Sequence, residues 1–191
     1  MMRKLLPVLL LPALAGCLTS APPPPATNWM LTPRMTDLVA AAKPAFGETR
    51  LAIVYVRAPY DGKELTVLRP DGSVAFDPYN QFAATPASLI KGAALDVLRG
   101  TGLFAGVQPS ITTADVKTSL ELVMDELALD CRKEGERKAS ARLILVMVRD
   151  RQVVAAERGS AVVDAADGNY SDAFGTAFTK ALAAAAAKLV R

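Results

Sequence analysis

Histidine is absent from this chain of 191 residues, and cysteine occurs only twice, at positions 17 and 131. Without imidazole no Ser-His-Asp or Cys-His nucleophile can be assembled, and histidine ligation of a metal is excluded. Excess charge of one sign is also missing. Of the 22 Lys and Arg residues, Arg3 and Lys4 lie in the first 16 positions, leaving 20 to face 19 Asp and Glu. That balance removes the basic footprint that neutralises phosphates, so nucleic acid is not an expected partner. The apolar run behind Arg3 and Lys4 is too short for a bilayer span, which takes about 20 apolar residues.

What that run does contain is a processing signal. Leu5, Leu6, Val8 to Leu11, Ala13 and Leu14 form an apolar core, closed by Leu14-Ala15-Gly16-Cys17. A basic start, a short apolar stretch and small residues before a cut are what an export machinery and signal peptidase read. Residues 1–16 are therefore the expected signal peptide, with Cys17 as the lipid acceptor. Its thiol is the nucleophile that a diacylglyceryl transferase needs. Covalent diacylglycerol and an N-acyl chain on Cys17 are the only cofactor-like groups expected, with no metal. Three acyl chains, at about 0.8 kcal/mol per buried methylene, hold a protein firmly on a membrane. The next residue is Leu18 rather than Asp, which by the usual sorting rule sends the chain to the outer membrane, facing the periplasm. Acylation also leaves Cys131 without an internal partner, so it is either a small apolar residue at a strand end or one half of an intermolecular disulfide.

Residues 17–33 read as a tether, because Pro22 to Pro25 favour an extended polyproline conformation. Trp29, Met30 and Leu31 interrupt it as an apolar cluster, either an edge strand docked on the domain or interfacial anchors. The remaining stretch, 34–191, is long enough for one domain with its own core. Leu51 to Arg57 predicts a strand apolar on both sides, inside the sheet. Glu64–Arg69 and Ser73–Phe76 flank Pro70-Asp71-Gly72, a hairpin signal. Thr85-Pro86 opens a helix, with a capping hydroxyl on Thr85 and proline at the first helical position, and Leu89, Ile90, Ala93, Ala94, Val97 and Leu98 form one stripe, stopped at Gly100. A short strand is expected near Val107. Thr118 to Cys131 is a long strand whose apolar parity switches between Met124 and Leu127, implying a bulge near Asp125-Glu126. It leads through the charged tip Arg132–Lys138 into strands 139–149 and 153–163, an antiparallel meander. A last helix starts at Asn169–Asp172, with Ser171 able to cap. Phe174, Phe178, Leu182 and Leu189 lie on one face, for the core or for a membrane surface. The expected fold class is α+β: a mainly antiparallel sheet with two helices packed on one face.

Candidate chemistry is sparse. Asp125 and Glu126 are adjacent on a strand and so point to opposite faces, poor geometry for paired acid-base work. Asp61, Asp71 and Asp77 sit in turns that favour Asp for turn chemistry alone. Gly100, Gly102 and Gly106 have the wrong spacing for a phosphate loop. The stretch Asp77-Pro78-Tyr79-Asn80-Gln81-Phe82 sets two aromatics and two amides between a hairpin and a helix. Tyr79, Asn80, Gln81 and Phe82 are thus candidate partner-docking residues, or in the case of the two aromatics a cover for the end of the core.

The order of these features resembles a known family. A lipid-acceptor cysteine, a proline tether, Trp29-Met30-Leu31, a strand ending Arg57-Ala58-Pro59, Tyr79-Asn80-Gln81-Phe82 and a helix closing with Gly102-Leu103-Phe104 and Val107 is similar to the ABC-type transport auxiliary lipoproteins. These accompany lipid transporters of the mammalian-cell-entry type and related paraquat-inducible systems. The resemblance spans nearly the whole mature domain. It implies a non-enzymatic α/β domain on a lipid anchor, docking on transporter components: a substrate-binding protein, a permease and an ATPase. An envelope-assembly lipoprotein of the pilotin or synthase-activator kind is the alternative from the residues alone.

Overall fold

The computed structural model describes residues 24–165 and 167–190. In chain order the elements are β1 (Thr27–Trp29), β2 (Phe46–Val56), β3 (Glu64–Leu68), β4 (Val74–Phe82), α1 (Pro86–Gly100), β5 (Phe104–Pro109), β6 (Thr118–Asp130), β7 (Lys138–Arg149), β8 (Gln152–Asp164) and α2 (Tyr170–Lys188). The fold class is the expected one, α+β, with eight strands in a single sheet.

Strand β6 organises that sheet. At 13 residues it is long enough to pair with β7 along one whole edge. Its other edge takes β2 beside Thr118–Met124 and β3 beside Leu129 and Asp130. The predicted bulge is present: the register slips between Met124 and Glu126, which moves Leu127 and Leu129 onto the face already occupied by Leu120, Leu122 and Met124. Asp150 and Arg151, both at positive φ (49° and 66°), turn β7 into β8. The β6–β7–β8 meander and the β3–β4 hairpin are antiparallel. Parallel pairing, which local sequence did not signal, joins β2 to β5 and β6, β3 to β6, and β1 to β4.

Both helices lie on the same face. α1 rests on β2 and β5, α2 on β7 and β8, and the two touch each other. Ile90, Ala94, Val97 and Leu98 of α1 and Phe174, Phe178, Leu182 and Ala185 of α2 are buried against Leu51, Leu120, Leu122, Leu143 and Leu145. Small residues allow close approach: a Cβ on Gly159 of β8 would overlap the backbone carbonyl of Ala181. Core packing thus accounts for the last helix, and Leu189 ends it half-buried.

Four boundaries differ from the sequence reading. Thr85 precedes α1 as expected, but its hydroxyl makes no cap bond to the helix amides and donates instead to Ser88 Oγ at 3.0 Å. Asn169, not Ser171, caps α2 by accepting from the Asp172 amide at 3.3 Å. Gly100 remains helical, and the left-handed residue that ends the turn is Gly102, at φ 64°. Gly100 is small for another reason, since a Cβ there would run into the side chains of Met35 and Leu38. Packing also begins at Thr27, inside the stretch read as tether.

Candidate functional site

The stretch singled out by sequence, residues 77 to 82, is the distorted end of β4. Leu65 pairs with Asp77, but the next pair is Glu64 with Gln81, so residues 78–80 stand outside the β3–β4 ladder. Pro78 offers no backbone donor, which favours such a break. Asp77 holds the excursion together. Its Oδ1 accepts from the amides of Tyr79 (2.9 Å) and Asn80 (3.1 Å), and its Oδ2 from Asn80 Nδ2 (2.8 Å). Gln81 Nε2 closes back on the Pro78 carbonyl at 3.1 Å. Asp77 therefore serves the turn, as its setting suggested.

The opposite edge of this stretch is occupied by the N-terminal strap. β1 lies parallel to it, pairing Thr27 with Asn80, Asn28 with Gln81 and Trp29 with Phe82. Trp29 Nε1 donates to Asn80 Oδ1 at 3.0 Å, and its ring meets Tyr170 edge-on with centroids 5.5 Å apart. Beyond Trp29 the strap crosses α2 on a seam of small and hydroxylated residues. Ser171 donates to the Met30 carbonyl (2.7 Å), Thr179 Oγ1 accepts from the Arg34 amide (3.0 Å), and Arg34 pairs with Asp172 at 2.7 Å. Gly175 sits beneath, where any Cβ would overlap the Thr32 carbonyl.

The four candidate docking residues thus divide. Phe82 is 3 % exposed and packs edge-on against Phe174, so it belongs to the core. Asn80 is engaged by Trp29 and Asp77. Gln81 is partly exposed, and Tyr79 is the one whose side chain stands widely in solvent, at 45 %. Trp29 docks on the domain, the first of its two sequence readings. Cys17, the lipidation candidate, lies outside the described residues.

A second cluster sits on the sheet face opposite the helices. Glu126, at the bulge, is only 5 % exposed. It accepts from Ser140 Oγ at 2.5 Å and pairs with Arg142. Beside it Arg57 meets Asp125 at 3.0 Å, and the Tyr60 hydroxyl is pushed above its usual range by burial and by the Glu126 carboxylate. The sequence hint was the bulge itself, which turns one of two neighbouring carboxylates inward. Below the cluster, Arg132 holds the Asp130 carboxyl under its ordinary value, and Lys133 and Lys138 do the same for Glu136. This is the solvated hairpin tip that its mixed charges implied. The Cys131 thiol is half-buried and raised by that burial, with no disulfide. Among the described residues no group of three or more Cys, Asp or Glu side chains could hold a metal ion, and no helix is long and apolar enough to cross a membrane.

No family model matches this chain, and no curated protein matches it. Solved structures do. The Xanthomonas campestris protein XCC0632, described under the family name DUF330, is 17% identical with a TM-score of 0.64, covering 86% of this chain and 92% of that one. A protein described only as uncharacterised has a TM-score of 0.59 at 11% identity, covering 88% and 98%. The hypothetical protein CT253 of Chlamydia trachomatis reaches 0.50 at 11% identity, covering 76% and 96%. At these identities what this chain shares with the three is the fold, over nearly their full lengths.

Proposed function

We propose that this protein is a lipid-anchored accessory lipoprotein of an ABC-type, mammalian-cell-entry-like transport complex, working on the periplasmic side of the outer membrane. Its expected role is docking rather than catalysis. The complex would move lipids or other hydrophobic molecules between membranes. The observation that carries the reading is the strap. Directly after the Cys17 signal and the proline run, the chain is bonded to β4 and α2 through Trp29, Met30 and Arg34. A lipid on Cys17 would then set where the domain stands relative to the bilayer, which suits a protein that works by being placed. The family resemblance of the sequence supports the transport role.

Two experiments test this. Labelled fatty acid should enter the wild-type chain and not Cys17→Ala, which should leave the membrane fraction. Tagged wild-type protein, solubilised in mild detergent, should bring down a substrate-binding protein, a permease or an ATPase of one transporter. Recovery of none of them would falsify the transport role. A deletion strain defective in secretin, pilus or wall assembly with normal lipid composition would instead favour the envelope-assembly alternative.

A further inference from the structure

The strap decides which edge of the domain stands nearest a lipid on Cys17. β1 runs parallel to β4, with Thr27 opposite Asn80 and Trp29 opposite Phe82. The chain therefore enters β1 from the side of Tyr79 and Phe76 and leaves it over α2. Ten residues separate Cys17 from Thr27. At about 3.3–3.6 Å per residue they reach at most about 35 Å, so a lipid on Cys17 keeps this edge within that distance of the bilayer surface. The far edge, β8, lies five strand spacings away across the sheet. At about 4.8 Å each, those spacings add about 24 Å.

The near edge carries large apolar side chains in the open. Leu65 belongs to the core and pairs with Asp77, whereas Thr66 pairs with Phe76 and Leu68 with Val74. Alternation along a strand therefore turns Phe76 and Val74 to the face opposite that of Leu65. Both are about half exposed, and so is Tyr79 in the excursion beside Asn80. Asp77, between Phe76 and Tyr79, has both carboxylate oxygens occupied by three hydrogen bonds. The hairpin sets Lys63 and Arg69 against Glu64, Asp71 and Asp77, which leaves no basic surface for anionic headgroups. Its attraction is apolar and aromatic. Such side chains settle at the level where headgroups meet acyl chains, Tyr with its hydroxyl toward water. A contact too weak to hold a free protein is sufficient for a tethered one, because the anchor keeps the local concentration of lipid high.

We propose that Phe76 and Tyr79, with Val74 beside them, rest in the headgroup interface of the bilayer that carries the Cys17 lipid, so that the β4 edge faces the membrane and the β8 edge is turned away from it. The inference rests on the lipid anchor proposed above and not on the transport role.

The test reconstitutes the full lipidated chain in phosphatidylcholine vesicles containing a phospholipid with a photoactivatable diazirine at headgroup level, and maps the adducts by mass spectrometry. Residues 74–79 should carry at least fivefold more label than residues 152–164, although Val153, Val154 and Val162 are at least as exposed. Phe76→Ser combined with Tyr79→Ser should lower the label on 74–79 at least fivefold with the circular dichroism unchanged. Adding phosphatidylglycerol to the vesicles should leave the pattern as it is. Even labelling of the two strands, no label on 74–79, or a double variant labelled like wild type would each overturn the contact. So would chemical cross-linking that joins two chains through 74–79, because a second copy would then cover the patch. The mass of the mature chain separates the two levels. If it carries no lipid, the anchor fails and the contact falls with it. If it is lipidated and the label is even, the contact is wrong and the anchor stands.

Discussion

The two faces of the sheet are built to different rules. Under the helices, Leu120, Leu122 and Met124 of β6 and Leu143 and Leu145 of β7 are fully buried and purely aliphatic. On the other face the same strands carry Ser140, Arg142 and Glu126 as a hydrogen-bonded polar group, and β2 offers Ile53 and Tyr55 to solvent, 50 % and 55 % exposed. One face stores the stability and the other is free to vary. Burial of apolar surface is the main favourable term in folding, so a change of similar size should cost very different amounts on the two sides.

The sharpest test of that contrast pairs Phe174→Ala with Tyr55→Ser. Phe174 is 1 % exposed and braces Phe82, so its truncation should cost about 3–5 kcal/mol. Tyr55→Ser, on the open face, should stay within about 0.5 kcal/mol. Denaturant midpoints from far-UV circular dichroism measure both. A large loss at Tyr55 would break the comparison and mean that something covers the open face.

Glu126→Gln asks whether the open face contributes stability anywhere. The amide keeps an acceptor for Ser140 and loses the charge facing Arg142, a bond to a charged group worth about 1.5–3 kcal/mol. Arg142 is half exposed and can turn to water, which places the expected loss at the low end of that range. A neutral outcome would reduce the cluster to surface decoration. The strap gives the third test. Gly175→Ala pushes a methyl into the Thr32 carbonyl, an overpacking of about 1–3 kcal/mol. Trp29, the single Trp, reports the strap, whereas circular dichroism reports the sheet. In Gly175→Ala the Trp29 emission should shift to the red at lower denaturant than the loss of ellipticity. Coincident transitions would show that strap and domain unfold as one unit.

What could be read from sequence follows the same division. The β6 bulge was legible because the buried face is purely aliphatic, so a slip in register shows as a change of apolar parity at Leu127. The Pro70-Asp71-Gly72 hairpin and the start of α1 were legible because local backbone chemistry decides them, with Gly72 at φ 81°. The parallel pairing of β2 with β5 and β6 was not, since two-sided apolar strands look alike whichever direction their neighbours run. Phe82 lay in the same blind spot. An aromatic after Asn80-Gln81 can face water or core, and only the position of Phe174, far along the chain, decides it. Thr27 and Asn28 were masked by the prolines before them, while the edge-strand reading already reached Trp29.

The smallest effect belongs to the open face near the hairpin tip, and it carries a sign in pH. Asp130 accepts from Arg132 Nε at 2.9 Å and Nη2 at 2.6 Å, and those bonds hold its carboxyl below the ordinary value of 3.8. A carboxyl lowered in the folded state adds stability that is complete above its unfolded value and lost as pH falls through its folded value. Asp130→Asn should therefore lower the denaturant midpoint slightly at neutral pH, and the gap to wild type should narrow as pH falls below the ordinary carboxyl value and close below the lower folded one. Glu136 is lowered by Lys133 and Lys138 and also loses its contribution in acid, but it does so in both proteins and cancels from the difference. A gap that stays constant down to acid pH would mean that Asp130 acts through its backbone bond to the Arg132 amide at 3.0 Å and that its charge contributes nothing to this end of the sheet.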